Sequence, residues 1–248
     1  MRHLLRHYSE SDATGCHSHD IGQLIYLHHG AVLLESGQAE SLLLSGQLLY
    51  LPPGCEHAHR LLKHTRCSLF YLRPEVLPQH WQSQGLHQGL NQGQHQGPVP
   101  MSVSLLWSAL LQRLETVTED KESAYLEVLQ DNLCQLQPQG QLKPLCQSLD
   151  PRLLPVIETM QRSPNLKLRL ENFAKHCGAS ERTLNRLFRV CLGVSFQDWR
   201  RRSLMLEAQR RLRQGQPMTQ VALEVGYQNL SAFSAAYHSF FRRQSYLQ

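Results

Sequence analysis

Three histidines in the first sixty residues stand at spacings that suit a metal ion. In Cys16-His17-Ser18-His19 the two imidazoles fall on one side of an extended strand, because side chains there alternate with a period of two. The third, His57, closes a turn written Gly46, five residues, Pro52, any residue, Gly54, two residues, His57. Three neutral imidazoles converging in a barrel could ligate a divalent transition metal such as zinc, nickel or iron. Gln23, four residues after His19, offers a neutral amide as a fourth candidate in place of a carboxylate. Losing the carboxylate weakens a site for a hard cation and removes an obvious acid or base, which disfavours a metal-dependent oxygenase. Three readings of His17, His19 and His57 stay open at this point: a divalent-metal sensor, a polar pocket for an organic effector, and ordinary strand histidines. Cys16, Cys55 and His59 are close enough in sequence to join a softer site, with packing as their simpler role.

A second group of residues is suited to a different chemistry. If a helix starts after Ser180, its outward positions are Glu181, Arg182, Asn185, Arg186 and Arg189. Arginine and asparagine are the side chains that read guanine and adenine edges in the major groove. A second helix about fifty residues on would expose Gln228, Asn229, Leu230, Ser231, Ser234 and Ala235. These have fewer long hydrogen-bonding groups, so more of the base discrimination is expected from the first helix, and more backbone and methyl contact from the second.

Charge separates the two chemistries. Of 248 residues with a formal net charge of +5, Arg152 to Gln248 hold 16 Lys and Arg against 6 Asp and Glu, whereas residues 1–151 hold 9 against 14. The basic segment points to a polyanionic partner, double-stranded DNA. Histidine is as uneven: 12 of 14 lie within the first 100 residues. Seven cysteines, an odd number with no CxxC, argue against a disulfide framework or a finger-type zinc site. No apolar run reaches the ~18 residues of a membrane span and no leader precedes the first elements, so a cytoplasmic protein that makes no use of a membrane is expected.

The elements that must position these residues are legible in outline. Strands are expected at Gln23–His28, Ala31–Glu35, Ser41–Leu44, Gln47–Leu51 and Arg66–Leu72, punctuated by glycines and the Pro52-Pro53-Gly54 turn, a spacing that favours a small barrel or sandwich. Residues 82–100 carry Gly85, Gly89, Gly93 and Gly97 among Gln and His and read as a linker. Amphipathic helices are expected at Ser102–Thr116 and Lys121–Leu136, packing on their own domain or forming a subunit interface, and Asp150-Pro151 suits the cap of the next helix.

The basic segment repeats one motif. Ala174 and Gly178 recur as Ala222 and Gly226 at an offset of 48, and Leu184 and Phe188 recur as Phe233 and Tyr237 at an offset of 49. A small residue lets two helices cross closely, a glycine takes the positive φ of a tight turn, Ser180 caps the next helix, and apolar residues four apart bury its inner face. Between the copies, Ser195 to Arg213 reads as a long helix with Trp199, Leu204, Ala208 and Leu212 inward; Arg200, Arg201, Arg202, Arg210 and Arg211 flank that stripe, some to reach phosphates and some merely solvated.

The run FAKHCGASERTLNRLFRVCLGVSFQDWRRRSLMLEAQRRL followed by VALEVGYQNLSAFSAAYHSFF resembles the DNA-binding domain of AraC/XylS-family transcription regulators over about ninety residues. It includes both turn glycines, the turn Gly193, Ser195, Phe196, Trp199, and the pair Gly226-Tyr227. The resemblance implies two helix-turn-helix subdomains joined by a rigid helix and entering successive major grooves, with base-reading positions at Arg182, Asn185 and Arg186, then Leu230, Ser231 and Ser234. After the last aromatics the family continues with Gly and a Pro-containing turn, whereas this chain has Arg242-Arg243-Gln244-Ser245. The Gly46 to His57 spacing resembles the second cupin motif, and His17 and His19 a weaker first one, as in the sugar-sensing domains attached to many AraC-type proteins.

The expected architecture is therefore α+β and multidomain: a cupin-like β-barrel sensor at 1–81, the linker at 82–100, a helical connector at 101–148, and an all-α double helix-turn-helix domain at 149–248. The expected function is a sequence-specific transcription regulator controlled by a small-molecule or metal effector. A homodimer through the connector, and RNA polymerase if the protein activates, are the further partners this reading allows. No GxSxG, GxxxxGK, GxGxxG after a strand, or HExxH occurs, which agrees with a protein that is not an enzyme. The rival readings are a cupin-type metal-dependent enzyme with a basic DNA-binding appendage, and a nucleoid-type binder with no sequence preference.

Overall fold

Alternating apolar side chains build the first half of the chain. The computed structural model describes residues 1–83, 97–139 and 149–245 and divides into two units, Met1–Pro144 and Leu145–Gln248. The strands of the first unit are β1 (Arg2–Tyr8), β2 (Asp12–Ala13), β3 (Gly22–His29), β4 (Ala31–Ser36), β5 (Ala39–Leu44), β6 (Leu48–Leu51), β7 (Ala58–Leu61), β8 (Thr65–Leu72) and β9 (Val99–Met101). They form two antiparallel sheets, ordered β1-β8-β3-β6-β9 and β2-β7-β4-β5. Ile25, Leu27, Leu49 and Leu51 of the first sheet pack against Val32, Leu34, Leu43 and Leu61 of the second, closing a barrel-like interior.

The alternate residues of those central strands point the other way. Leu24, Tyr26, Leu48, Tyr50 and Phe70 are covered by helices α1 (Gln79–Ser83), α2 (Leu105–Leu114) and α3 (Glu119–Asp131) and by a short 3-10 turn, Asn132–Gln135. Strand β3 is thus buried on both faces, which is why its sequence reads as an almost unbroken apolar run. Trp81, Trp107, Leu111 and Leu129 are wholly buried in this second layer, and burying one such leucine is worth about 1.5–3 kcal/mol. The indole nitrogens of Trp81 and Trp107 donate to the carbonyls of Leu136 (3.3 Å) and Asn132 (3.1 Å).

This layer revises the expected organisation. The segment 101–148, read as a connector, supplies α2 and α3 to the core of the barrel unit. Val99 and Pro100, read as the end of the linker, and Met101, read as the start of the connector, form β9 and pair with β6 in the last position of the sheet order, where a proline is tolerated. Residues 84–96, with three of the four spaced glycines, and 140–148 lie outside the described residues. All five expected strands are present with ends shifted by a residue or two; β1, β2, β7 and β9 were not expected, being short, polar or broken by proline.

A polar seam fastens α2 and α3 to the sheet. His3 Nδ1 lies 2.5 Å from Glu122 Oε1 and its Nε2 2.9 Å from Ser68 Oγ, which also lies 2.8 Å from His28 Nε2. His28 Nδ1 stands 2.7 Å from Glu115 Oε1, and Arg66 pairs with the same carboxylate at 3.1 Å. Burial holds the His3 imidazole below its ordinary value of 6.5, with Glu122 opposing and His28 reinforcing the shift. Since the folded pKa is depressed, the unfolded chain takes the proton first. Stability from neutral His3 is intact above pH 6.5 and falls as the pH drops below it. Thermal melts across that range are expected to show a flatter acid limb in His3→Gln than in the wild type, by up to about 1.4 kcal/mol per pH unit. Superimposable limbs would assign the acid sensitivity elsewhere.

The second unit is helical. After a 3-10 turn at Pro151–Leu153, capped by Asp150, come α4 (Leu154–Arg162), α5 (Leu170–Ala174), α6 (Glu181–Leu192), α7 (Phe196–Arg213), α8 (Met218–Glu224) and α9 (Leu230–Ser245). Ser180 and Ser195 cap α6 and α7 by accepting from the amides of Thr183 (3.1 Å) and Asp198 (3.2 Å), and Gly193 ends α6 at φ +68°. Helix α7 belongs to two cores at once. Its Phe196 and Trp199 rings lie 5.3 Å from Phe188 of α6 at Trp199 and at Phe196 alike, while Leu204 and Ala208 pack with Val221, Ala222, Val225 and Phe233 of the second pair. A helix held at both ends by packed side chains sets the separation of the two helix pairs. Glu207, buried on α7, accepts from Arg210 (2.7 and 2.8 Å) and Arg211 (2.6 Å), and Arg211 reaches on to Glu224 of α8.

Candidate functional site

The histidine cluster is assembled by one isolated bridge between loops. His17 and His57 exchange both backbone hydrogen bonds at 2.9 Å, which sets their imidazoles side by side with ring centres 4.4 Å apart. The period of two then returns His19 to the same side, 4.9 Å from the His17 ring and 5.4 Å from the His57 ring. One ligand nitrogen from each of the three lies within 4.8 Å of the others. Among the described residues no cysteine or carboxylate completes the group.

The second ring nitrogens fix which lone pairs are free. His17 Nδ1 is 2.8 Å from the Gly15 carbonyl and His57 Nδ1 2.9 Å from the Cys55 carbonyl. A carbonyl only accepts, so in both rings Nδ1 carries the proton and Nε2 presents a bare lone pair. His57 Nε2 is buried with no hydrogen-bond partner among the described residues. Burial depresses the pKa of His57 and of His19, each also lowered by the neighbouring His17, and brings His59 to about 4. Burial thus favours the neutral form of the His19 and His57 imidazoles, the form a metal needs.

The other candidates lie around this cluster. The ring of His59 is nearly parallel to that of His57 at 6.3 Å, and its Nδ1 is 3.2 Å from Thr14 Oγ1. Cys55 is buried with its thiol 3.8 Å from Ser36 Oγ, while Cys16 is exposed. Gln23 is 3% exposed on β3, where strand parity sends it to the interior face with Ile25 and Leu27; its Oε1 has no partner among the described residues. Tyr71 pairs in register with Gln23 and meets the His19 ring edge-on at 5.7 Å. Sequence reasoning missed it, although it falls at the end of an expected strand and shares the parity of Cys67.

On the helical unit, α6 turns Leu184, Leu187, Phe188 and Cys191 inward. That leaves Arg182, Arg186 and Arg189 exposed with Asn185 half-buried between them, the four lining one shallow depression with Thr183. On α9, Leu230 and Ser231 are exposed, Ser234 is half-buried, and Gln228 is exposed in the turn before the helix. Asn229 has a different task from the one expected: its carboxamide oxygen accepts from the Ala232 amide at 2.8 Å and caps α9. The arginines flanking α7 also sort themselves. Arg200 donates to the Leu166 (3.0 Å) and Leu168 (2.6 Å) carbonyls, and Arg210 and Arg211 are held by Glu207, whereas Arg201 is exposed.

A barrel unit bearing a cluster of imidazoles, carried on one chain with paired helix-turn-helix modules, defines a one-component regulator: a ligand-binding half and a DNA-binding half. Residues 4–129, half of the chain, match the family profile described as the AraC-like ligand binding domain, and residues 173–244 match a helix-turn-helix domain profile. The chain belongs to the AraC family of transcription regulators. It is similar to the HTH-type transcriptional regulator NimR of Escherichia coli (strain K12), with 27% identity over 217 residues, 88% of this chain and 75% of that one. Among solved structures, fatty-acid-bound ToxT from Vibrio cholerae strain SCE256 aligns over 96% of this chain and 91% of its own at 10% identity and a TM-score of 0.38. An AraC-type DNA-binding regulator from Chromobacterium violaceum aligns over 37% of this chain and 83% of its own at 26% identity and a TM-score of 0.34. Among the described residues no helix is long and apolar enough to cross a membrane.

Proposed function

We propose that this regulator senses a divalent transition metal, zinc, nickel or iron, through His17, His19 and His57, and reads DNA sequence chiefly with α6. The observation that carries the metal reading is the buried, unpartnered Nε2 of His57, aimed among two further imidazoles. An orphaned buried acceptor costs about 1–3 kcal/mol, and coordination of an ion by that lone pair would offset it. Gln23, with its own buried, unpartnered oxygen, is the neutral supplement on the interior face. The same cluster holds no carboxylate able to serve as a base among the described residues, so the triad is read as a sensor and the chain as a regulator without catalytic activity.

The experiment is metal binding by protein purified without a histidine tag. Dialysis against zinc, nickel or ferrous iron should load one ion per wild-type chain, and His57→Ala should lose that stoichiometric binding and the metal response of operator affinity while keeping basal operator affinity. Equal metal content in both proteins would return the triad to ordinary strand histidines, and turnover of a substrate by the loaded protein would favour the enzymatic reading.

For DNA, Arg182, Asn185, Arg186 and Arg189 are assigned to base edges and flanking phosphates. Leu230, Ser231 and Ser234 make shorter contacts in the next groove, where exposed Leu230 suits a thymine methyl. Gln228 remains available to the backbone. Asn229 and Arg200 are assigned to the fold and not to DNA, on the strength of their hydrogen bonds.

A further inference from the structure

Beside the histidine cluster, a cleft of about 600 Å³ opens between β1 and the loop that leads into β3. Its volume falls within the range of small-molecule sites. Strand register explains its lining. Arg2 pairs with Tyr71 and Leu4 with Leu69, and β1 alternates, so Arg2 and Leu4 share the face on which Tyr71 lies. Arg73, two residues past Tyr71, lines the same cleft, as do Ile21 and His19. The lining thus includes two arginines, while Leu4, Ile21 and the Tyr71 ring supply apolar surface.

Neither guanidinium is spoken for. Among the described residues, Arg2 and Arg73 take part in no ion pair or side-chain hydrogen bond, and the nearby carboxylates Asp20 and Glu75 pair with neither. Elsewhere in this unit half-buried Arg66 pairs with Glu115 and exposed Arg60 with Glu40. Two guanidinium groups lining one cleft, neither of them in an ion pair, favour an anion there, and the fork geometry of guanidinium matches a carboxylate.

We propose that this cleft binds a small organic carboxylate with an apolar body, its anionic end between Arg2 and Arg73 and its body against Leu4, Ile21 and Tyr71. This ligand is the organic effector of the barrel. The proposal rests on the ligand-binding role of this half of the chain and not on metal at the triad, although His19 borders both.

The test uses the full-length protein and matched probes: butyrate, octanoate, benzoate and phenylacetate, each set against the alcohol of the same skeleton. At least one carboxylate is expected to raise the melting temperature and bind by calorimetry where its alcohol does not. Arg2→Gln and Arg73→Gln, both at exposed positions, should each weaken that binding by about tenfold or more. The His57→Ala protein, which loses metal on the reading above, should keep the carboxylate response, so failure of one reading is visible apart from failure of the other. The proposal is overturned if every alcohol matches its carboxylate. It is equally overturned if the arginine variants bind as the wild type does, or if the response vanishes in His57→Ala alone, which would put the anion on the metal.

Discussion

Replacing Arg186 by alanine is expected to weaken binding to the operator by about 1–3 kcal/mol, roughly 5- to 150-fold, and to relax base preference at one position of the site. The argument begins with the helix. Four inward residues, Leu184, Leu187, Phe188 and Cys191, fix the rotation of α6, so Arg186 has no choice but to face outward. Asn185 beside it is half-buried, which limits its motion and makes the pair a defined surface. A guanidinium can bond guanine at two acceptors together, and its loss removes both bonds along with the charge. The measurement is selection of wild-type sites from random DNA, followed by binding of Arg186→Ala to the selected site and its single-base variants. A loss of equal size on every sequence would make Arg186 a phosphate contact and leave base reading to its neighbours.

Much of this surface was legible before any coordinates, because helix-turn-helix geometry depends on local rules. Ser180 and Ser195 cap where their spacing said they would, and the period of 3.6 residues separates outward Arg182 and Arg186 from inward Leu184 and Phe188. Asn229 was misassigned for an equally local reason: a residue just ahead of a helix and one on its exposed face look alike in sequence, and only the bond to the Ala232 amide separates them. Arg200 could not be assigned at all from its helix, since its acceptors lie more than thirty residues earlier, on the Leu166 and Leu168 carbonyls.

In the barrel half the divide runs between motif and register. The spacing of His17, His19 and His57 was enough to bring them together, since a turn and a two-residue alternation are local quantities. Tyr71, Arg2 and Arg73 reach the neighbouring cleft only through the pairing of β1 with β8, and β1 reads as Arg-His-Leu-Leu-Arg-His-Tyr, an edge strand whose polar residues hide its periodicity. The helices of 105–131 were expected, with packing on their own domain and a subunit interface both left open. Whether an amphipathic helix packs on its own sheet or on another subunit is decided by the outer face of β3, β6 and β8, and that face is apolar here.

Gly226→Ala is expected to cost about 3 kcal/mol and to remove the second half of the DNA contact, whereas Gly178→Ala, its counterpart in the first copy of the motif, should cost only about 1 kcal/mol. Both glycines have positive φ, +57° at Gly178 and +95° at Gly226, so a side chain carries a backbone penalty at either position. Their surroundings differ. A Cβ on Gly178 would meet nothing within 4 Å, but one on Gly226 would fall 2.5 Å from Asn165 Oδ1 and 3.1 Å from the Leu166 amide nitrogen. Those atoms cannot easily retreat. Asn165 Nδ2 donates to the Glu224 carbonyl at 3.0 Å, the Leu166 amide to the Val225 carbonyl at 2.9 Å, and Arg200 grips the carbonyls of Leu166 and Leu168 from α7. The segment after α4 is therefore sewn across the turn between α8 and α9, and Gly226 is a point of close approach between them. Opening that junction alters the angle between α6 and α9, so both grooves can no longer be met in register. Thermal melts of the two variants, together with binding to a full site and to its first half alone, separate the effects: Gly226→Ala should lose the advantage of the full site, and Gly178→Ala should keep it. Equal penalties in both would mean that φ alone decides and that the contact with Asn165 yields.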